Sequence, residues 1–198
     1  MKNLCVIPAR KNSVRIPDKN IKDFMGQPII AYSIQAAQES GLFDRIVVST
    51  DGIEIAQVAA KYGAEICIRP DALAVNEVGT FDVVRHAARC YLNDDYDQVC
   101  CVYATNPMIS HETIVDSSDL RLYGRRYDHV VSIGYPNLRD ASHFYWSTAQ
   151  AVEDNLPYFD NKSNTMCYKI DENRICDINT MDDWTRAEEM YKKLKGMS

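Results

Sequence analysis

The residues best suited to chemistry are bunched near the start of the chain. Arg10, Lys11, Arg15 and Lys19 fall within ten residues, with Ser13 among them, in the stretch IPARKNSVRIPDKN (7–20). A guanidinium fork meets phosphate oxygens two at a time, and an ammonium adds a point charge. Backbone N–H groups in such a turn add further donors. The stretch holds no glycine, which removes most of the support for a P-loop or a G-x-G-x-x-G turn. A solvated basic turn is the plain alternative, and its place directly after an apolar run favours anion binding instead.

A second candidate lies near the other end, in ICDINTMDDW (175–184). Asp177 and Asn179 alternate, so on extended backbone both point to one side. Two such oxygens suit Mg²⁺, which takes few protein ligands and completes its shell with water and substrate phosphates. Thr180 and Asp183 read as a capping box opening the last helix. In STDGIEI (49–55), Ser49, Thr50 or Asp51 is expected to cap a helix, with Glu54 completing a box. His86, His111, His129 and His143 are scattered without metal spacing, and His86 is expected to be structural. No Ser/His/Asp arrangement suggests hydrolysis.

These groups need a scaffold, and the apolar pattern supplies one. Short apolar runs at 4–7, 45–50, 64–68, 98–104 and 129–134 read as strands. Between them, helical spacing predicts helices opened by Pro28 and ended by Gly41, at 53–62 closed by Gly63, at 80–92 (Phe81, Val84, Ala88, Tyr91) and at 111–123. A last helix over 180–195 carries Trp184, Ala187, Tyr191 and Leu194 on one face. Strands apolar on both faces alternating with helices predict an α/β fold, a parallel sheet covered on both sides. Its ligand belongs at the carboxyl ends of the strands, in the loops after Ile7, Val48 and Val102. The aromatic stretch 135–175 is expected as short strands and loops laid over one sheet edge. Within it, FYW (144–146) would set Phe144 and Trp146 on one face and Tyr145 on the other.

Composition narrows the classes. The chain has 198 residues, 46% of them hydrophobic and 25% charged, which predicts one globular domain, 1–198. A net charge of −6 argues against broad binding to nucleic acid. No apolar run is long enough to span a membrane, and the opening residues show no signal-peptide core. Seven cysteines without a C-x-x-C pair suggest free thiols in a reducing compartment, so the cytoplasm is expected.

Four blocks in order resemble the acylneuraminate cytidylyltransferases, the CMP-sugar-acid synthetases: IPARKNSVRIPDKN, STDGIEIAQVAAKYGAEI with RPDAL, VYATNP, and DINTMDDWTRAEEMY. Tyr103 in the third block, the FYW segment and Gly79-Thr80 look closest to the pseudaminic acid branch. The resemblance implies a three-layer α/β/α fold of the nucleotide-diphospho-sugar transferase (GT-A-like) type. It implies transfer of CMP from CTP to a nonulosonic acid, with Mg²⁺ as cofactor, feeding cell-surface polysaccharide synthesis. It places Ala9, Arg10, Ser13, Arg15, Lys19, Asn20, Arg69 and Thr80 at the nucleotide. Tyr103, Thr105 and Phe144 would face the sugar, Asp177 and Asn179 the metal, and Arg10, Lys19 and Asp177 would carry catalysis.

Three departures are visible. Val14 stands where the family has Lys, and Asn179 where it has a second Asp. The segment between Tyr135 and His143 is shorter than in the pseudaminic acid enzymes, where it builds acceptor wall and dimerisation arm. A homodimer and a monomer are therefore both open. So are a nucleotide-binding relative with lost or partner-dependent catalysis, and a nucleotidyltransferase for a different sugar acid.

Overall fold

The computed structural model describes residues 1–75, 77–91, 95–122 and 127–197. The helix ends foreseen at 92 and 123 lie outside the described residues. One seven-stranded sheet organises the chain in the order β5-β4-β1-β6-β8-β7-β9. Its strands are β1 (Asn3–Pro8), β4 (Arg45–Thr50), β5 (Glu65–Ile68), β6 (Gln98–Val102), β7 (His129–Tyr135), β8 (Asp140–Thr148) and β9 (Thr165–Asp171). A small separate hairpin pairs β2 (Asp23–Phe24) with β3 (Gln27–Pro28). Only β8 runs against the other strands of the large sheet.

β1 shows why these runs become strands. Leu4, Cys5, Val6 and Ile7 are all fully buried, Leu4 and Val6 toward one layer and Cys5 and Ile7 toward the other. A continuous apolar run is what a strand covered on both faces requires. One covering layer brings Ile30 and Ile34 of α1 (Ile29–Glu39), Ile55 and Ala59 of α2 (Ile53–Lys61) and Ile114 of α4 (His111–Leu122) onto the sheet. The other brings Phe81, Val84 and Ala88 of α3 (Thr80–Cys90) and Val152 of α5 (Ala149–Glu153). The architecture is three-layer α/β/α with a mostly parallel sheet.

The chain runs from β1 outward to β4 and β5, then crosses through α3 to β6 on the other side of β1. That reversal opens a crevice at the carboxyl end of β1. Gly63, at φ +85°, turns the chain from α2 into β5 in a conformation that side chains resist.

Three sequence expectations change. The segment 135–175 is not laid over an edge: β8 enters the sheet between β6 and β7, and β9 pairs with β7 to form the rim. The strand signal was blurred by a register shift between Val131 and Ile133, where Ser132 Oγ accepts the His143 and Phe144 N–H groups. Leu194 is exposed, whereas Trp184 and Ala187 of α6 (Met181–Lys195) are buried against Phe24, Ile16 and Met108. None of Ser49, Thr50 and Asp51 caps α2, and no box with Glu54 forms, because its N-cap is Gly52 without any side-chain cap. The capping box at α6 is formed as expected: Thr180 Oγ1 accepts the Asp183 N–H, and the Asp183 carboxylate accepts the Thr180 N–H.

Two stability predictions follow from these contacts. Thr180→Ala removes one half of the box and should lower stability by about 1 kcal/mol, read as a shift of the urea midpoint at constant slope; an unmoved midpoint would mean the box is idle. His143 is fully buried on β8, one ring nitrogen against the Arg174 carbonyl at 2.9 Å, and burial pushes its pKa from 6.5 down to about 3. The unfolded chain therefore takes up a proton between these values that the folded chain refuses. Stability should fall as pH is lowered through that window, by up to ~1.4 kcal/mol per unit from this group. His143→Gln should flatten the slope of stability against pH, and equal slopes in both proteins would contradict this.

Candidate active site

A cleft of about 640 Å³ opens at the carboxyl end of the sheet. Pro8, Arg10, Ser13, Val14, Arg15, Lys19 and Asn20 line it from the loop after β1, Arg69, Leu73, Val75 and Val78 from the stretch after β5, and Tyr103, Ala104 and Thr105 from the end of β6. Thr80 and Val83 of α3 form one wall, and Asn179 closes it from the C-terminal segment. The loop after β4 supports the cleft from behind without lining it; the chain after β5 takes the place expected for it.

The cation loop is strapped to the protein on two sides. Toward β4, the Ala9 N–H donates to the Ser49 carbonyl (2.9 Å) and the Lys11 N–H to Asp51 Oδ1 (2.8 Å). This is the work of Asp51, which capping rules had assigned to α2. Gly52 permits the approach, since a Cβ there would stand 3.1 Å from Lys11 Cβ. Inside the loop, Asn20 Nδ2 donates to the Arg10 carbonyl at 2.8 Å. Toward the C-terminal segment, Arg15 Nη2 donates to Asn179 Oδ1 (2.7 Å), Lys19 Nζ to the Ile178 carbonyl (2.7 Å), and Asn179 Nδ2 to Asp177 Oδ2 (2.5 Å). The Asn179 N–H rests on the capping carboxylate of Asp183 (3.0 Å), so α6 sets the position of this segment. The two ends of the sequence therefore meet at one wall of the cleft.

The electrostatics are unbalanced in a way that favours an anion. Burial, with the nearby Arg15 and Arg10 charges, holds the Lys19 ammonium below its usual pKa although Asp177 and Asp183 pull the other way. Burial also lowers Arg69, with Arg10 adding to the effect and Asp51 opposing it. Arg69 is only 5% exposed; its Nη2 donates to the Ser49 carbonyl at 2.7 Å, and its buried Nε has no hydrogen-bond partner. Cations gathered in a half-buried cleft are disfavoured by burial and by one another, and a polyanion relieves both conditions. Lys11 stands apart, its ammonium 3.7 Å from Glu54 on the surface. Val14 is 84% exposed at the cleft mouth.

Not every expected residue faces the cleft. Ala9 is buried and serves through its backbone. Phe144 is 0% exposed, packed against Tyr168 in the layer under α1 and α4. The neighbour on the opposite face, Tyr145, is itself buried and connects to the cleft through Tyr103: Thr80 Oγ1 lies 3.2 Å from the Tyr103 hydroxyl, which donates to Tyr145 (3.4 Å), which in turn donates to Asp140. Strand alternation within FYW carried that information. Asp140 carried no local signal, because it joins this network only through the folded course of β8, where it stands opposite Ile133 of β7 and accepts from Tyr145.

The comparisons with known proteins agree with this geometry. Residues 4–175 match the family model described as cytidylyltransferase. A pseudaminic acid cytidylyltransferase of Campylobacter jejuni (serotype O:23/36, strain 81-176) is 34% identical, the match covering 97% of each chain. That alignment runs over 233 residues, longer than this chain of 198, so the relative carries inserted residues that this chain lacks. Among solved structures, a CMP:2-keto-3-deoxy-manno-octonic acid synthetase complexed with CTP superposes with a TM-score of 0.79 at 13% identity, covering 98% of this chain and 100% of that one. A Mycobacterium tuberculosis protein in complex with manganese gives a TM-score of 0.73 at 13% identity, covering 96% of this chain and 99% of its own. These two likenesses show the shared fold, while the family match and the close relative show descent: the chain belongs to the cytidylyltransferase family of nucleotide-transferring enzymes.

Proposed function

We propose that the cleft binds CTP and transfers its CMP moiety to the anomeric hydroxyl of a nonulosonic acid of the sialic or pseudaminic type, releasing pyrophosphate. The observation that carries this reading is the cleft itself: three cations from one loop and Arg69 from the strand-end opposite, held together in a chain whose net charge is −6. In the reaction, the sugar oxygen bonds to the α-phosphorus, the bond to the bridging oxygen of the β-phosphate breaks and leaves its electron pair on pyrophosphate, and the hydroxyl proton passes to solvent water. Charge builds on the leaving pyrophosphate, so catalysis rests on positioning and on neutralising that charge. Arg10, Ser13, Arg15 and Lys19 are the groups for the triphosphate. Arg69, Thr80 and the Oδ1 of Asn20 suit the nucleoside, and Tyr103 and Thr105 suit the acceptor side, with Tyr145 behind Tyr103.

A divalent ion fits one of the two expected ligands directly. Asp177 does not itself line the cleft but is an exposed carboxylate held by Asn179, which does, and Mg²⁺ binds through one or two carboxylates plus substrate phosphates. Asn179 spends its amide differently, its oxygen on Arg15 and its nitrogen on Asp177. In this reading Asp177 holds Mg²⁺ and Asn179 is the bridge between metal ligand and phosphate clamp. When bound, the ion supplies Lewis-acid polarisation of a phosphate oxygen.

Incubation with CTP, Mg²⁺ and a panel of nonulosonic acids, smaller sugar acids included, should release pyrophosphate with at least one acceptor; no release with any would overturn the reading. Arg10→Ala should lower turnover by about 10- to 150-fold, equivalent to one lost charge-assisted hydrogen bond of ~1.5–3 kcal/mol, with the melting temperature unchanged. A collapse of the melting temperature would make Arg10 structural. Asn179→Asp puts a second carboxylate beside Asp177, so it should lower the half-saturating Mg²⁺ concentration and weaken the metal-free fold; an unchanged Mg²⁺ titration would remove residue 179 from the metal's surroundings.

A further inference from the structure

Behind the cleft, away from the proposed chemistry, the fold gathers three soft ligands that are remote in sequence. Cys67 lies on β5; His86 and Cys90 lie on α3, four residues apart and so on one face of the helix. The Cys67 and Cys90 sulfurs are 3.6 Å apart, and the Cys67 sulfur is 3.9 Å from His86 Nδ1. Among the described residues this is the one group of three His, Cys, Asp or Glu side chains whose ligand atoms all lie within 4.8 Å of one another. We propose that Cys67, His86 and Cys90 form a binding site for a thiophilic divalent cation of the Zn²⁺ type, clamping β5 to α3.

The spacing is what such an ion requires. Tetrahedral coordination with Zn–S of ~2.3 Å and Zn–N of ~2.0–2.1 Å sets sulfurs about 3.8 Å apart and sulfur and nitrogen about 3.5 Å apart. The two separations from the Cys67 sulfur, 3.6 Å and 3.9 Å, stand within a few tenths of an ångström of those values, and His86 and Cys90 bring their ligand atoms within 4.8 Å of each other. Two thiolates and a neutral imidazole also cancel the charge of a divalent ion, which suits a partly buried place. Cys67 is buried, His86 is half-buried and Cys90 is exposed, so the ion has an entry path and solvent can fill the fourth position. Binding releases both thiol protons to solvent, and the ion replaces them.

The clamp is placed to influence the cleft. Arg69 follows Cys67 by two residues, and α3 begins at Thr80; both line the cleft wall. The site itself stands independently of the nucleotide reading, since none of its three ligands lines that cleft.

The test uses the full chain, reduced and metal-free, titrated with Co²⁺ alone as a spectroscopic probe. Wild type should develop a thiolate-to-cobalt charge-transfer band and the visible bands of four-coordinate cobalt, saturating at one equivalent. An oxygen-bound ion near Asp177 gives no thiolate band, so failure there cannot be confused with failure here. Cys90→Ser and His86→Ala alter exposed and half-buried positions and should remain folded. Each should weaken binding by more than the roughly 10–100-fold that loss of an outer-shell partner costs. Cys167→Ser, at an exposed thiol elsewhere, should leave the band intact. Zn²⁺ should raise the melting temperature of wild type and protect Cys90 from alkylation, with no rise in the two ligand variants. Absence of the thiolate band in wild type, its survival in both ligand variants, or its loss in Cys167→Ser would overturn the proposal.

Discussion

The gathering of like charges in a half-buried cleft, disfavoured first by burial and then by their mutual repulsion, is the constraint around which this protein is built. Arg10, Arg15, Lys19 and Arg69 converge at the carboxyl end of the sheet in a chain that is acidic overall. Desolvation and mutual repulsion disfavour such a cluster, and the lowered pKa values of Lys19 and Arg69 express that cost. Folding must therefore hold these groups in place against their own electrostatics. In the proposed function a triphosphate would reverse the sign of the interaction, so what costs the free protein would become affinity and transition-state stabilisation in the complex.

The holding is done by contacts between parts distant in sequence. Asp51, at the end of β4, fixes the loop backbone at Lys11, forty residues away. From the other end of the chain, Asn179 joins Arg15 to Asp177, and the Ile178 carbonyl takes a hydrogen bond from Lys19. That C-terminal segment is in turn fixed by the capping box of α6 and by Trp184, packed against Phe24 just beyond the cation loop. Helix capping, aromatic packing and phosphate geometry are thus links of one chain. A neutral Asn at position 179 is suited to it, because an amide can donate to one carboxylate and accept from one guanidinium at once. A second carboxylate would serve the metal better and the bridge worse.

Much of this was legible before the fold was known, wherever the signal is local. The cation loop, the buried strand before it and the Thr180–Asp183 box are patterns of neighbouring residues, and each stands where its pattern put it. Asp51 was misassigned because a capping residue and a residue receiving a distant N–H look alike until the partner strand is in place. Residues 140–148 were underestimated because β8 enters the sheet against the direction of its neighbours. The rule that sets Phe144 and Tyr145 on opposite faces was sound, but which face meets the cleft depends on sheet order. Cys67, His86 and Cys90 were beyond any spacing rule, since a strand and the helix that crosses back over it supply the ligands.

The central claim is that the N-terminal cations and the C-terminal Asp177–Asn179 segment form one polyanion site. A crystal structure of the chain with CTP and Mg²⁺ tests it most directly. The account predicts triphosphate oxygens within hydrogen-bond reach of Arg10, Ser13, Arg15 and Lys19, with the ion between the phosphates and Asp177. A triphosphate seated elsewhere on the sheet, or one that leaves the Asp177 carboxylate far from both ion and phosphates, would contradict it.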